Sequence, residues 1–430
     1  MLNCLLSLAS ALKSIGGVAL AVVILLAMVT IHEFGHYVAG KILGFKITEF
    51  SVGFGPAIWK KRSKKTGELF ALRVIPLGGY CAFDGEDEIE TSKSDMEEKA
   101  EEEPFEEMAS PLVEEEKEGD RVALNTPAEE EYPEPKGERF NDQAPWKRII
   151  VLLAGATMNY LLALFLIIAM FAFGGRPVYE IYKTDLIEGA SQETVEMFES
   201  GLQTGDRVLA IDGKTVYLLT DWQSALDGKK KGERVEVTVL RDGKKESVEI
   251  ALYADASFAN MNDTNDIFYA LGIAAKGVQT DANGEEKPIR LYGGALMPTT
   301  VKEGFWETIG NSFAYSWKIG GTVLRSLGEL LTGKLGIEAV GGPVTTIKIT
   351  SEVAASGWMS FLNIAALIGV NLAVFNLLPI PALDGCKVIF CLIEWIRKKP
   401  INRNVEAIIH LVGIAFLFGF AILVDLLQLF

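Results

Sequence analysis

A chain of 430 residues with 49% hydrophobic residues and a mean hydropathy of +0.23 is too apolar for an ordinary soluble domain, yet 23% of it is charged. It reads as a polytopic α-helical membrane protein of about four transmembrane helices with aqueous insertions. The net charge of −16 is not a global property, because residues 84–138 hold 23 of the 57 acidic and 5 of the 41 basic residues. The remainder is close to neutral, and no nucleic acid is expected among the partners.

Residues 1–45 hold the first transmembrane helix, with an apolar run from Val18 to Leu43 that encloses His32, Glu33, Phe34, Gly35 and His36, an H-E-x-x-H pattern. Positions four apart share a helix face, so both imidazoles can reach one Zn²⁺ while Glu33 addresses a water beside it. Imidazole and carboxylate groups inside a membrane segment are costly and usually functional. The segment ahead of the run has one lysine and no small-residue cleavage pattern, so no cleaved signal peptide is expected.

Residues 46–83 predict a membrane-associated β-hairpin or small sheet on the cytoplasmic side. Lys46 to Phe54 and Leu69 to Ile75 are rich in β-formers, with Gly53, Gly55 and Gly67 as punctuation. The turn Pro76-Leu77-Gly78-Gly79-Tyr80 calls for permissive backbone where the chain passes close to a neighbour. Residues 84–142 are too acidic and proline-broken to build a core and predict a disordered insertion, either a solvated spacer or a regulatory, cation-attracting segment. The second transmembrane helix occupies 147–174, apolar from Ile149 to Phe173. Its opening Ala154-Gly155-Ala156-Thr157-Met158-Asn159 permits close helix approach, and Asn159 needs a polar partner.

Residues 177–276 alternate β-rich runs with turns at Asp212-Gly213 and Asp242-Gly243 and predict one compact β-rich domain. Its stretch from Ser200 to Gly213 resembles a PDZ domain in circularly permuted form, a type that takes extended peptide ends onto a sheet edge. Residues 277–356 predict a linker and a membrane-surface helix over Phe305–Leu331; an amphipathic helix packed on the soluble domain fits the same pattern. A third apolar segment lies within 357–386, from Phe361 to Leu378, and a cytoplasmic loop with a fourth helix fills 387–430, apolar from Ala407 to Leu427. Lys and Arg residues cluster after the first span, before the second, and between the third and fourth, at Arg397, Lys398, Lys399 and Arg403. These loops should be cytoplasmic, with both termini and the β-rich domain outside. The four cysteines, Cys4, Cys81, Cys386 and Cys391, form no C-x-x-C pair and indicate neither a disulfide framework nor a thiolate site.

Two imidazoles leave a tetrahedral zinc short of a third protein ligand. His410 is the one further histidine, with no acidic companion in its run, and reads as hydrogen-bonded structure more readily than as a ligand. Asp384 lies in Asn376-Leu377-Leu378-Pro379-Ile380-Pro381-Ala382-Leu383-Asp384-Gly385, where two prolines break an apolar helix. It is a candidate ligand, and a helix N-cap is its structural alternative.

Taken in this order, the H-E-x-x-H helix, Gly53-Phe54-Gly55, Gly78-Gly79-Tyr80, Ala154 to Asn159, the single PDZ-like insert and the Leu-Asp-Gly element at Asp384 resemble the site-2 protease family. The nearest type is the bacterial regulator-of-sigma-E protease group, and the likeness covers nearly the whole chain outside the acidic insertion. It implies a bacterial inner-membrane zinc endopeptidase with Zn²⁺ on His32, His36 and Asp384 and Glu33 as general base. Its substrates would be transmembrane proteins, anti-sigma-factor-like or signal peptide remnants, cut within or beside a lipid-embedded helix. Asn376 matches the position that clamps extended substrate backbone, and Gly53, Phe54 and Gly55 match a membrane-inserted β-loop. The PDZ-like domain would screen substrates already trimmed by another protease. Two departures stand out: Cys386 follows Gly385 where relatives often have a second glycine, and the acidic insertion is long. Two rival functions are a catalytically idle membrane protein acting through its PDZ-like domain, which the intact Glu33 argues against, and a zinc carrier, which the lack of further intramembrane carboxylates argues against.

Overall fold

The computed structural model describes residues 2–86, 132–258, 265–280, 286–336, 340–354 and 356–429. Most of the acidic insertion, 87–131, lies outside them. In chain order the elements are α1 (Leu2–Leu43), β1 (Ile47–Arg62), β2 (Leu69–Phe83), α2 (Pro145–Gly174), β3 (Arg176–Lys183), α3 (Gln192–Phe198), β4 (Arg207–Ile211), β5 (Lys214–Thr215), α4 (Leu219–Leu226), β6 (Arg234–Arg241) and β7 (Lys244–Ala251). There follow α5 (Asn265–Ala270), β8 (Ala275–Thr280), β9 (Glu286–Tyr292), β10 (Gly294–Val301), α6 (Phe305–Leu331), α7 (Pro343–Ala354), α8 (Trp358–Leu377), α9 (Asp384–Arg397) and α10 (Arg403–Leu429). Among the described residues four helical segments are long and apolar enough to cross a membrane: Gly16–Leu43, Pro145–Gly174, Trp358–Leu377 and Arg403–Gln428.

Local chemistry sets the ends that matter. α1 stops where Gly44 takes a φ of +80° and the Phe45 N–H turns back to the Gly40 carbonyl, a left-handed cap that glycine adopts without a Cβ clash. α2 starts on Pro145, whose fixed φ suits a first helical position and whose missing N–H costs no bond there. α8 ends at Leu377 because Pro379 and Pro381 follow, and the chain is helical again only from Asp384.

The chain divides into two compact units, residues 25–158 with 375–419, and residues 1–24 with 159–374 and 420–430. In the first, the expected hairpin is longer than its β-forming runs. The opening half of β1 lies between the two ends of β2, Phe50 facing both Cys81 and Phe70, and Ser51 facing both Tyr80 and Ala71. That fold-back needs the bends at Gly53 and Gly55, with φ of +87° and +83°. Arg73 ties the bend together, donating to Ser51 Oγ, the Gly55 carbonyl, Glu49 and the Tyr80 hydroxyl. Buried Glu68 joins the sheet to α1 by accepting from the Tyr37 hydroxyl at 3.1 Å and from Lys41 Nζ at 2.5 Å. Phe45, Ile47, Cys81, Phe83, Phe140, Val151 and Leu152 form the core between these elements. Behind it the buried Arg148 of α2 meets Glu394 of α9 at 2.5 Å, and Arg403 reaches the same carboxylate at 3.5 Å.

In the second unit β3, β4, β6 and β7 form a sheet with β10 on its outer edge, in the order β10-β3-β4-β6-β7, with β5 beside β4. Ile181, Val208, Ile211, Val235, Val237 and Val239 alternate into one core around the fully buried Trp222. β10 pairs with β3 along its whole length, from Gly294 opposite Lys183 to Val301 opposite Arg176, so the sheet takes in a strand beyond residue 276. Pro298 masks the strand in sequence but is tolerated because β10 is an edge. α6, read as a membrane-surface or domain-packed helix, lays Tyr315 and Ile319 against Ile167 and Phe171 of α2 and Leu362, Ala366 and Val370 of α8. Its other side exposes Trp306, Phe313, Trp317, Leu324 and Leu331.

Candidate active site

His32 and His36 stand one helical turn apart on α1, both buried, with their Nε2 atoms 3.2 Å from each other. The Asp384 carboxylate comes from the first residue of α9, and its Oδ2 lies 3.0 Å from His32 Nε2 and 3.3 Å from His36 Nε2. A tetrahedral zinc with bonds of roughly 2.0–2.2 Å separates its ligand atoms by about 3.3 Å. The three donors therefore already stand at the edge lengths of that polyhedron, and two imidazole nitrogens with one carboxylate oxygen suit zinc chemically. A metal ion there would offset the burial of the two histidines beside the part-buried Asp384.

The outer contacts fix the imidazoles. His36 Nδ1 is 2.8 Å from the Val151 carbonyl of α2, which can only accept, so Nδ1 carries the proton and Nε2 keeps its lone pair for the Asp384 side. His32 Nδ1 is 3.4 Å from the side-chain amide nitrogen of Asn376 at the end of α8, an N–H donor, so this contact runs in the opposite direction to that of His36. Glu33 Oε2 accepts the Cys81 backbone N–H of β2 at 3.1 Å. β2 approaches this closely because Gly79 has no side chain, a Cβ there falling 2.8 Å from the Ser51 carbonyl and 3.4 Å from Glu33 Cγ. Glu33, His36 and Asp384 line a cavity of about 580 Å³ whose wall continues through Tyr80, Cys81 and Lys387.

Glycines on the two facing helices make room for this. A Cβ on Gly35 would come within 2.8 Å of the Ala154 carbonyl carbon, so α1 and α2 touch backbone to backbone beside the motif. A Cβ on Gly155 would sit 2.6 Å from His36 Cε1 and 2.7 Å from His32 Cε1. The small residues that open α2 thus do more than permit helix packing: Gly155 leaves the space the imidazoles occupy. Gly53, Phe54 and Gly55 form the bend of β1, with Phe54 stacked on Tyr80 at 6.3 Å, one residue from the N–H that holds Glu33. His410 is not brought to the histidine pair; its Nδ1 accepts the Ala382 N–H at 3.1 Å. Cys81, Cys386 and Cys391 are free and buried.

Sequence reasoning did not single out the Cys81 N–H, the Val151 carbonyl or the Gly155 gap. Two of them are backbone groups, which no residue type signals, and Gly155 is legible only once its helix is known to face His36.

Comparison with known proteins gives the family. The family model described as Peptidase family M50 matches residues 20–420. The zinc metalloprotease RasP of Bacillus licheniformis is 28% identical, over 91% of this chain and 93% of its own length. The regulator of sigma-W protease RasP of Bacillus subtilis is 28% identical, over 92% and 94%. A putative zinc metalloprotease of Fusobacterium nucleatum, FN1322, is 27% identical, over 94% and 96%. With an H-E-x-x-H helix in its first span and a matched family model over almost its entire length, this chain is an integral membrane zinc metalloendopeptidase and belongs to peptidase family M50, the site-2 protease family.

Proposed function

We propose that this protein cuts peptide bonds within or beside the transmembrane helices of membrane-protein substrates, with His32, His36 and Asp384 holding Zn²⁺ and Glu33 acting as general base. The observation that carries the reading is the convergence of His32 Nε2, His36 Nε2 and Asp384 Oδ2 within 3.0–3.3 Å of one another, with Glu33 on the same helix turn. Zn²⁺ bound there supplies Lewis acidity, which lowers the pKa of water at the site and polarises a carbonyl oxygen. Glu33 takes the proton of the attacking water and delivers it to the departing amide nitrogen; the Cys81 N–H orients one carboxylate oxygen and leaves the other for this transfer. A helical substrate hides its scissile carbonyl among its own hydrogen bonds, so it must be drawn out before attack. The Asn376 amide and the glycine bend at Gly53, Phe54 and Gly55 are suited to bind the exposed backbone.

In this reading the chain sits in a bacterial inner membrane, with the acidic insertion cytoplasmic and the β-rich unit outside. That unit acts as a PDZ-like screen, taking the new peptide ends of substrates already trimmed by another protease; its open sheet edges support the assignment. The printed name of the Bacillus subtilis relative, a regulator of sigma-W protease, favours anti-sigma-factor-like substrates, with signal peptide remnants as the second class. The test is cleavage of a single-span model substrate by the purified protein in detergent or liposomes. Glu33→Gln should lower the rate by about 10²–10⁴-fold while zinc stays bound, and a chelator should abolish it. Cleavage indifferent to Glu33→Gln refutes the mechanism, and normal zinc content in Asp384→Asn removes Asp384 from the ligand set.

A further inference from the structure

A side chain of α10 reaches the turn that delivers Asp384. Ala382, two residues before the carboxylate, has a φ of +81°, a left-handed conformation that a residue with a Cβ rarely takes alone. Its N–H donates to His410 Nδ1 of α10 at 3.1 Å. The imidazole is itself seated by Phe390 of α9, whose ring meets it edge-on at 5.8 Å between centroids. One helical turn along α10, Gly413 lets the helix backbone lie against the same turn, since a Cβ there would fall 2.6 Å from the Pro381 carbonyl carbon. On the other side Gly385 is closed in by the end of α8, where a Cβ would lie 2.5 Å from the Leu377 carbonyl oxygen. The peptide between Pro381 and Ala382 is therefore fixed by α10, and the direction of the Leu383–Asp384 step follows from it.

We infer that His410 is a positioning residue for the metal centre: by accepting the Ala382 N–H it holds the left-handed turn that aims Asp384 at His32 and His36. The inference rests on the reading of Asp384 as a zinc ligand. A left-handed alanine relaxes to negative φ once its N–H partner is gone, and a rotation two residues before a ligand displaces a carboxylate that must meet two nitrogens within a few tenths of an ångström. His410 lies outside the candidate donor set of His32, His36 and Asp384, and its Nδ1 accepts the Ala382 N–H, a role an amide oxygen can fill. Asparagine places Oδ1 where histidine places Nδ1; leucine fills the space without an acceptor.

The experiment uses the full-length protein in detergent and measures zinc affinity by competition with a chromogenic chelator, with the thermal midpoint of the metal-stripped protein as the control for folding. His410→Leu should weaken zinc binding by about 10–100-fold, the usual effect of losing an outer partner of a metal ligand, and His410→Asn should stay within about threefold of wild type. Both should melt within a few degrees of wild type without metal. In cleavage assays at saturating zinc, His410→Leu should lower kcat with KM unchanged. Asp384→Asn separates the two readings. If it leaves zinc affinity intact, the ligand assignment fails. If it abolishes binding while His410→Leu binds zinc like wild type, or if His410→Asn is as damaged as His410→Leu, His410 has no positioning role. Should His410→Leu fail to fold, His410→Asn together with His410→Gln, whose longer side chain displaces the acceptor, keeps the comparison: equal affinities in those two overturn the inference.

Discussion

Replacing Gly155 with alanine tests the active-site geometry with a single methyl group. The new Cβ would stand 2.6 Å from His36 Cε1 and 2.7 Å from His32 Cε1, where ordinary contact begins near 3.4 Å, overlaps of about 0.8 and 0.7 Å. His36 cannot simply swing away, because its Nδ1 proton is tied to the Val151 carbonyl, one turn earlier on the same face of α2. Either that bond breaks or both rings shift by about 1 Å, and a displacement of that size at reacting groups costs on the order of 10²-fold in rate. Alanine is otherwise the better helix residue by about 1 kcal/mol. Gly155→Ala should therefore lose most of its cleavage activity and much of its zinc affinity, and overpacking should cost the metal-free protein about 1–3 kcal/mol, offset in part by the helix preference. Gly419→Ala in α10, with nothing within 4 Å of its built Cβ, is the matched control and should leave activity unchanged. Zinc content, chelator competition and cleavage of a single-span substrate read the outcome. Wild-type zinc affinity and kcat in Gly155→Ala would refute the claim that this glycine makes room for the imidazoles.

Other outcomes follow from buried charge. Glu394→Leu leaves the fully enclosed Arg148 without its carboxylate and should cost about 3–5 kcal/mol of stability, most of it recovered in the double variant Arg148→Met/Glu394→Leu, as a double-mutant cycle of thermal or denaturant midpoints would show. In the β-rich unit, burial pushes the Lys183 ammonium down to about 8, against the opposing pull of Asp206, while its Nζ donates to the Phe198 carbonyl. Because the unfolded chain keeps that proton up to the ordinary value of 10.5, it binds more protons than the folded state between about pH 8 and 10.5. The Lys183 contribution to stability should thus rise with pH across that window, and a difference in unfolding midpoint between wild type and Lys183→Met that stays flat with pH would contradict it.

What could be read from the sequence divides along the range of the interactions. The histidine pair and Glu33 are local: three positions within five residues on a helix, each chemistry-bearing, share a fate that 3.6-residue periodicity already states. Asp384 is distant by about 350 residues but announced itself through Pro379 and Pro381, whose chemistry forbids helix in a segment otherwise apolar enough to continue it. β10 was hidden for the opposite reason. Its partner β3 lies more than a hundred residues earlier, its own Pro298 argues against a strand, and only an edge position, which no local pattern encodes, removes the objection. The same holds inside the site. The Val151 carbonyl and the Cys81 N–H are groups every residue carries, so their selection is a property of where α2 and β2 run, and that is set by the absence of side chains at Gly35, Gly155 and Gly79. The candidate site groups are thus written as residue types, whereas the precision with which they meet is written as missing methyl groups on the elements opposite. In this enzyme the glycines facing the motif helix are as informative about the chemistry as the motif.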